Sequence, residues 1–157
     1  MKPKSKKPLI GALVGAALVG GALLGAPALL GSAPAAAQEV EVWKSPYCGC
    51  CEGWVNHMQS AGFSVKVHTV EDVDAIKAAK GVPDNLVSCH TAVVDGYAIE
   101  GHVPASDVRR LLTERPKVKG LSAPGMPQSA PGMDMPGQAY DVIAFGAPDG
   151  NTVYAHH

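Results

Sequence analysis

The 157-residue chain is short of positive charge where a polyanion would need it. It has 13 Lys and Arg against 14 Asp and Glu, and four of those lysines (Lys2, Lys4, Lys6 and Lys7) stand in the first seven residues. Without these four, nine basic residues face 14 acidic ones, a net charge of −5 with His neutral. No basic stripe is left to follow a phosphate backbone, which argues against nucleic-acid binding. No arginine pair precedes the apolar N-terminal stretch, so a twin-arginine export signal is absent. No segment repeats, which argues against a solenoid or array. Cysteine is sparse as well: four in all, three of them within four residues. Exported proteins with four cysteines usually pair them in two disulfides. Adjacent cysteines pair badly with each other, so the clustering speaks against a simple disulfide framework.

What is present begins with a leader. The four lysines form a basic head, Leu9 to Leu30 is apolar and rich in Gly and Ala, and Ala35-Ala36-Ala37 offers a small-residue cleavage site. That is the pattern of a secretory signal peptide over residues 1–37. Uncleaved, the run is long enough to cross a bilayer, though its glycines and Pro27 make it a weak permanent anchor. Residues 38–157 then form one domain with a modest core.

The stretch Lys44-Ser45-Pro46-Tyr47-Cys48-Gly49-Cys50-Cys51-Glu52-Gly53-Trp54 carries the chemistry. It follows a strand-like segment and precedes a helix-like one. Thiolates there sit at a helix N-terminus, where unpaired backbone N–H groups and the macrodipole favour negative charge. Cysteines so placed have depressed pKa values and bind metal or attack disulfides as thiolates. Two readings compete. Cys48 and Cys51 have the spacing of a dithiol redox pair. Cys50 adds a third sulfur that redox chemistry does not require, and three packed thiolates suit Cu(I) or Zn. The plain alternative is a structural disulfide, from Cys48 to Cys51 or from one of these to Cys89, but a short loop gains little closure entropy from a bridge.

Along the chain, Val40 to Lys44 alternates as a strand. Cys51 to about Ala61 is helical with Trp54, Val55 and Met58 on one face, ending at Gly62. Phe63 to His68 is a second strand. Thr69 is expected to cap a helix running to Lys80, with Gly81 as its stop. Thr91 to Val94 and Tyr97 to Glu100 form a hairpin on Asp95-Gly96, a type I′ dipeptide. Pro104 opens a further helix, with Val108, Leu111 and Leu112 on its apolar face, which Pro116 ends. Residues 117–139, rich in Gly, Pro and Ser with Met126, Met133 and Met135, read as irregular. Tyr140 to Phe145 and Thr152 to Ala155 form a second hairpin.

The order β-α-β-α-β-β-α is that of an α/β, thioredoxin-like three-layer domain with a mixed sheet, here carrying a Met/Pro/Gly-rich loop and a C-terminal β-hairpin. If the third strand runs antiparallel to the first, Ser88-Cys89-His90 arrives at the edge where the cysteine loop lies, and Gly101-His102 returns there. Cys48, Cys50, Cys51, Cys89, His90 and His102 would converge at the carboxyl end of the first strand, where open α/β sheets place their sites.

With Cys48-Gly49-Cys50-Cys51, Ser88-Cys89-His90-Thr91, Glu100-Gly101-His102-Val103-Pro104 and Gly125-Met126-Pro127 in view, the chain resembles the CopG-type periplasmic copper proteins of bacteria. These are exported thioredoxin-like domains carried in copper-resistance clusters. The resemblance runs from Val40 to about Tyr154, and the pairing of Cys-x-Cys-Cys with Ser-Cys-His-Thr is its specific part. It implies a copper site on Cys48, Cys50, Cys51 and Cys89, holding a multinuclear Cu(I)–thiolate cluster. Cycling between Cu(I) and Cu(II) and exchange with other periplasmic copper-handling proteins are further expectations, and the soft thiolates would also accept Zn as a substitute. At Pro127-Gln128-Ser129-Ala130-Pro131 the chain lacks the Gly-Ser pair expected before the proline, and His156-His157 is outside the family pattern.

Each remaining candidate has a plain reading beside the functional one. Cys89 alone would be a small core hydrophobe. His90 and His102 are copper ligands or histidines that orient ligands. Met126, Met133 and Met135 are soft thioethers able to accept Cu(I), or they pack the loop onto the domain. Met58 is core, and Trp54 is core or a lid. His57 is expected to be solvated, His68 too far out to ligate, and His156 and His157 a weak metal patch or a disordered tail.

Overall fold

The computed structural model describes residues 37–157. The signal-peptide reading of the N-terminal segment therefore lies outside the described residues, apart from Ala37. Elements follow in the order β1 (Glu39–Lys44), α1 (Gly49–Ser60), β2 (Ser64–Thr69), α2 (Val73–Lys80), a short 3-10 turn (Asp84–Leu86), β3 (His90–Val94), β4 (Tyr97–Gly101), α3 (Ala105–Glu114), β5 (Gly120–Ala123), β6 (Asp141–Phe145) and β7 (Thr152–His156). The strands form one mixed sheet in the order β2-β1-β3-β4-β5-β6-β7. Among the described residues no helix is long and apolar enough to cross a membrane.

Strand periodicity sorts side chains onto two faces. On one face Val40, Val42, Ala92, Val94, Ile99, Leu121, Ala123, Val142 and Ala144 meet Trp54, Val55 and Met58 of α1 and Val108, Leu111 and Leu112 of α3. On the other, Ala98 and Phe145 pack with Val82 and Leu86, and α2 sends Lys77 inward to Glu100. Helices on both faces of a mixed sheet make the expected α/β, three-layer arrangement.

Register delivers the convergence. β1 runs parallel to β2 and antiparallel to β3, with Lys44 opposite His90. β3 and β4 pair Thr91 with Glu100 across the Asp95-Gly96 turn, where φ is +47° and +85° as a type I′ turn requires. The start of β3 and the end of β4 therefore lie beside the end of β1.

Several expectations are corrected. Gly120–Ala123 is a strand, parallel to β4, inside the segment expected to be irregular. Its Gly120 lies so close to the Ala98 carbonyl that no Cβ would fit, so a residue read as a loop signal serves close backbone approach. α1 starts at Gly49, with Cys48 at its N-cap position. The cap of α2 is Asp72, which accepts from the Ala75 N–H at 3.1 Å, in place of Thr69. Pro104 stands at the N-cap of α3, one residue before the helix.

A four-sulfur candidate metal centre

The cysteine site has two walls. The first is the opening turn of α1. Cys48 has extended backbone angles (φ −89°, ψ 92°) and gives α1 no side-chain cap, while Cys50 and Cys51 occupy the first turn. Cys48 and Cys51 are joined in a disulfide; Cys50 and Cys89 are free thiols. The second wall is the start of β3 and the end of β4, carrying Cys89, His90 and His102. Cys89 Sγ stands 3.5 Å from Cys51 Sγ and 4.0 Å from Cys50 Sγ, and Cys48 and Cys50 sulfurs are 3.6 Å apart. All four sulfurs lie within 4.8 Å of one another.

The histidines extend the second wall inward. Cys89 Sγ lies 3.0 Å from His102 Nε2 and 3.3 Å from His90 Nδ1, and these three form a second close group of donors. His102 Nδ1 faces the Pro131 carbonyl at 2.7 Å. A carbonyl only accepts, so Nδ1 carries the proton and the Nε2 lone pair of neutral His102 is turned to the Cys89 thiol. His90 is fully buried against the Trp54 ring, and its Nε2 has no hydrogen-bond partner. Burial holds His90 well below its usual pKa, and His102 and Lys77 push the same way. Burial likewise lowers His102. Cys89 lies off the helix end, and burial, with Cys50 adding to it, pushes its thiol up to about 12. Its proton is held until a stronger partner displaces it.

The Met/Pro/Gly-rich loop closes over the first wall. A Cβ on Gly132 would stand 2.5 Å from Trp54 N and 2.8 Å from the Cys50 carbonyl, and one on Gly53 would stand 2.8 Å from Gly132 Cα. Two facing glycines thus let the loop lie against α1. Met133 is half-buried, whereas Met126 and Met135 are exposed. Trp54 is wholly buried and its indole N–H donates to the Val103 carbonyl at 2.8 Å. It is core and floor together. Met58 is core, as expected.

One expectation for histidines fails and another is narrowed. His57 is half-buried and its Nε2 accepts the Ala105 N–H at 3.0 Å, capping α3 from the neighbouring helix. The terminal pair is no disordered tail: His156 lies in β7 beside Asp141 (2.6 Å), and His157 meets Asp107 (2.7 Å) and stacks on Tyr140. His68, on the edge strand β2, stacks on Trp43 and bonds Glu41 of β1. Sequence reasoning missed the buried Lys77–Glu100 pair altogether. Its one signal was an acid in the otherwise apolar run Tyr97-Ala98-Ile99-Glu100.

By fold and site, this is a thioredoxin-like domain whose helix-start cysteines are joined by a cysteine from across the sheet. Residues 86–133 match a family described as protein of unknown function, DUF411. Two solved structures, forms 2 and 1 of copper resistance protein CopG, superpose with TM-scores of 0.73 and 0.71 at 39% and 40% identity. Each comparison covers 77% of this chain and 98% of the other. A search of the curated proteins gave no match. The chain belongs to the CopG family.

Proposed function

We propose that this protein binds and holds Cu(I) in the periplasm, in copper homeostasis and resistance, on Cys48, Cys50, Cys51 and Cys89. The reading rests on four sulfurs within 4.8 Å of one another at one sheet edge. Soft thiolates favour Cu(I) over harder ions, with Zn as the substitute. Four sulfurs so close also suit bridging between several ions, hence a multinuclear cluster. Loading needs the Cys48–Cys51 disulfide reduced, because the thiolate is the ligand form. His90 and His102 then serve as further ligands or orient Cys89, and Met126 offers a thioether at the surface. The relatives' name, copper resistance protein, agrees with this reading. Residues 1–37 act as the export signal and 38–157 as the mature domain, which exchanges copper with other periplasmic copper-handling proteins.

Anaerobic titration of the reduced protein with Cu(I), against a competing chelator, tests the proposal. Tight binding of more than one ion, lost on replacing Cys50 and Cys51 by serine, is expected. Weak binding that survives those replacements ends it.

A second reading, thiol–disulfide oxidoreductase, is favoured by the Cys48–Cys51 disulfide. The two combine if the dithiol closes while two Cu(II) become two Cu(I), with two protons released. Cys50→Ser separates them: a dithiol exchanger keeps its thiol activity, while a copper cluster loses its metal.

A further inference from the structure

Beneath Cys89, on the sheet face away from α1, lies a buried charged network that the thiolate chemistry leaves unused. Glu100 is wholly buried and Lys77 nearly so. Glu100 Oε1 accepts from Lys77 Nζ at 2.8 Å and from the Ser88 N–H at 2.6 Å. Its Oε2 accepts from the Thr91 hydroxyl at 2.6 Å, and that hydroxyl in turn accepts from Lys77 Nζ at 3.2 Å. One carboxylate thus grips the chain on both sides of Cys89-His90. A second contact tightens the same turn: the Ser88 hydroxyl donates to the Gly125 carbonyl. Ser88 also packs onto Gly101, whose φ of +70° and lack of Cβ leave the needed space.

A buried ion pair is a poor device for stability, because desolvating both charges offsets their attraction. It is a good device for fixing geometry, since every polar atom it leaves unpaired is costly. The same arrangement is what outer ligands of a metal site need to hold their orientation.

We propose that Glu100, with Lys77 and Thr91, is the positioning unit of the copper site: it sets the backbone of Ser88-Cys89-His90 so that the Cys89 thiol meets the α1 cysteines. The inference builds on the copper reading, and it makes a claim about Cys89 that holds in metal-free protein too.

Thr91 gives the cleanest test, because its two parts separate. Thr91→Val keeps the branched shape and loses the hydroxyl, whereas Thr91→Ser keeps the hydroxyl and loses the methyl. The Lys77→Met/Glu100→Leu double variant removes the charges together and leaves no unpaired ion. For each full-length variant three quantities are measured: thermal midpoint, rate of Cys89 alkylation relative to Cys50 in metal-free protein, and Cu(I) affinity by chelator competition. Thr91→Val and the double variant are expected to alkylate Cys89 severalfold faster and to bind Cu(I) about tenfold or more weakly, the usual cost of losing an outer orienting group. Thr91→Ser should behave as the parent in both. If Thr91→Ser is the more impaired of the two, or if alkylation and affinity follow the thermal midpoint, the network is merely structural and the proposal fails. Parent-like values in all variants also overturn it. If the parent itself binds no Cu(I), the copper reading falls, and the alkylation ratio still decides the positioning claim.

Discussion

The two walls of the cysteine site are built on opposite principles. The α1 wall is local: Cys48 stands at the N-cap and Cys50 and Cys51 in the first turn, so four consecutive residues bring the three sulfurs together. The β3–β4 wall is assembled at long range. Cys89 meets Cys51 across 38 residues, and His102 meets the Pro131 carbonyl across 29. The local wall supplies three of the four sulfurs, and the long-range wall brings the fourth, Cys89, against them. Mutations in the first should therefore act within one short stretch of chain, while those in the second should act through the packing that brings Cys89 to it.

Trp54 joins the walls, lying on α1 with its ring 4.6 Å from that of His90. Trp54→Ala leaves a cavity and the Val103 carbonyl unpaired, and should cost about 3–5 kcal/mol in chemical denaturation. A loss well under about 1 kcal/mol would mean that the walls do not depend on this contact.

Gly132→Ala is aimed at the loop that covers the local wall. At a φ of +86°, an added Cβ on Gly132 would stand only 2.5 Å from Trp54 N, so there is no room for a methyl group. A loss of about 1–3 kcal/mol, with faster proteolysis in the 126–137 loop, is expected. Unchanged stability and unchanged cleavage would place the loop off α1.

Acid should act more gently, through buried histidines on both sides of the site. Burial lowers the folded-state pKa of His57, which Asp134 partly opposes, and it also lowers His90 and His102. A histidine depressed in the folded state binds its proton first in the unfolded chain. Its stabilisation is thus complete above about 6.5, the ordinary histidine value, and is lost as pH falls from there toward the folded-state pKa. The thermal midpoint of metal-free protein should fall between pH 7 and 5, and His57→Gln should flatten that fall while keeping an acceptor for Ala105 N–H. A midpoint that rises on acidification would refute the assignment.

The sequence made the local wall plain, because three cysteines at a strand-to-helix junction report their own proximity. That Cys89 and His102 share one end of a hairpin was also legible from the Asp95-Gly96 turn, but that this end meets the cysteine loop depended on β3 running antiparallel to β1, which only the structure shows. What could not be read depends on partners distant in the chain. Gly120 and Ser122 look like loop residues until β4 lies beside them, and Ser122 then donates to the Leu86 carbonyl at 2.6 Å. His57 looks solvated on its own helix, and only the arrival of α3 gives it the Ala105 N–H. Glu100 looks misplaced in an apolar strand until Lys77 reaches it from α2.

A copper site shared between the two walls depends most directly on Cys89, the one cysteine of the long-range wall. Serine is close to isosteric, so Cys89→Ser should keep the fold, which circular dichroism and thermal melting will show. Reduced parent and variant, titrated anaerobically with Cu(I) against the same chelator, should then differ in the number of tightly held ions, with the variant holding fewer. Equal numbers at equal affinity would make Cys89 a packing residue and contradict a copper site shared between the two walls.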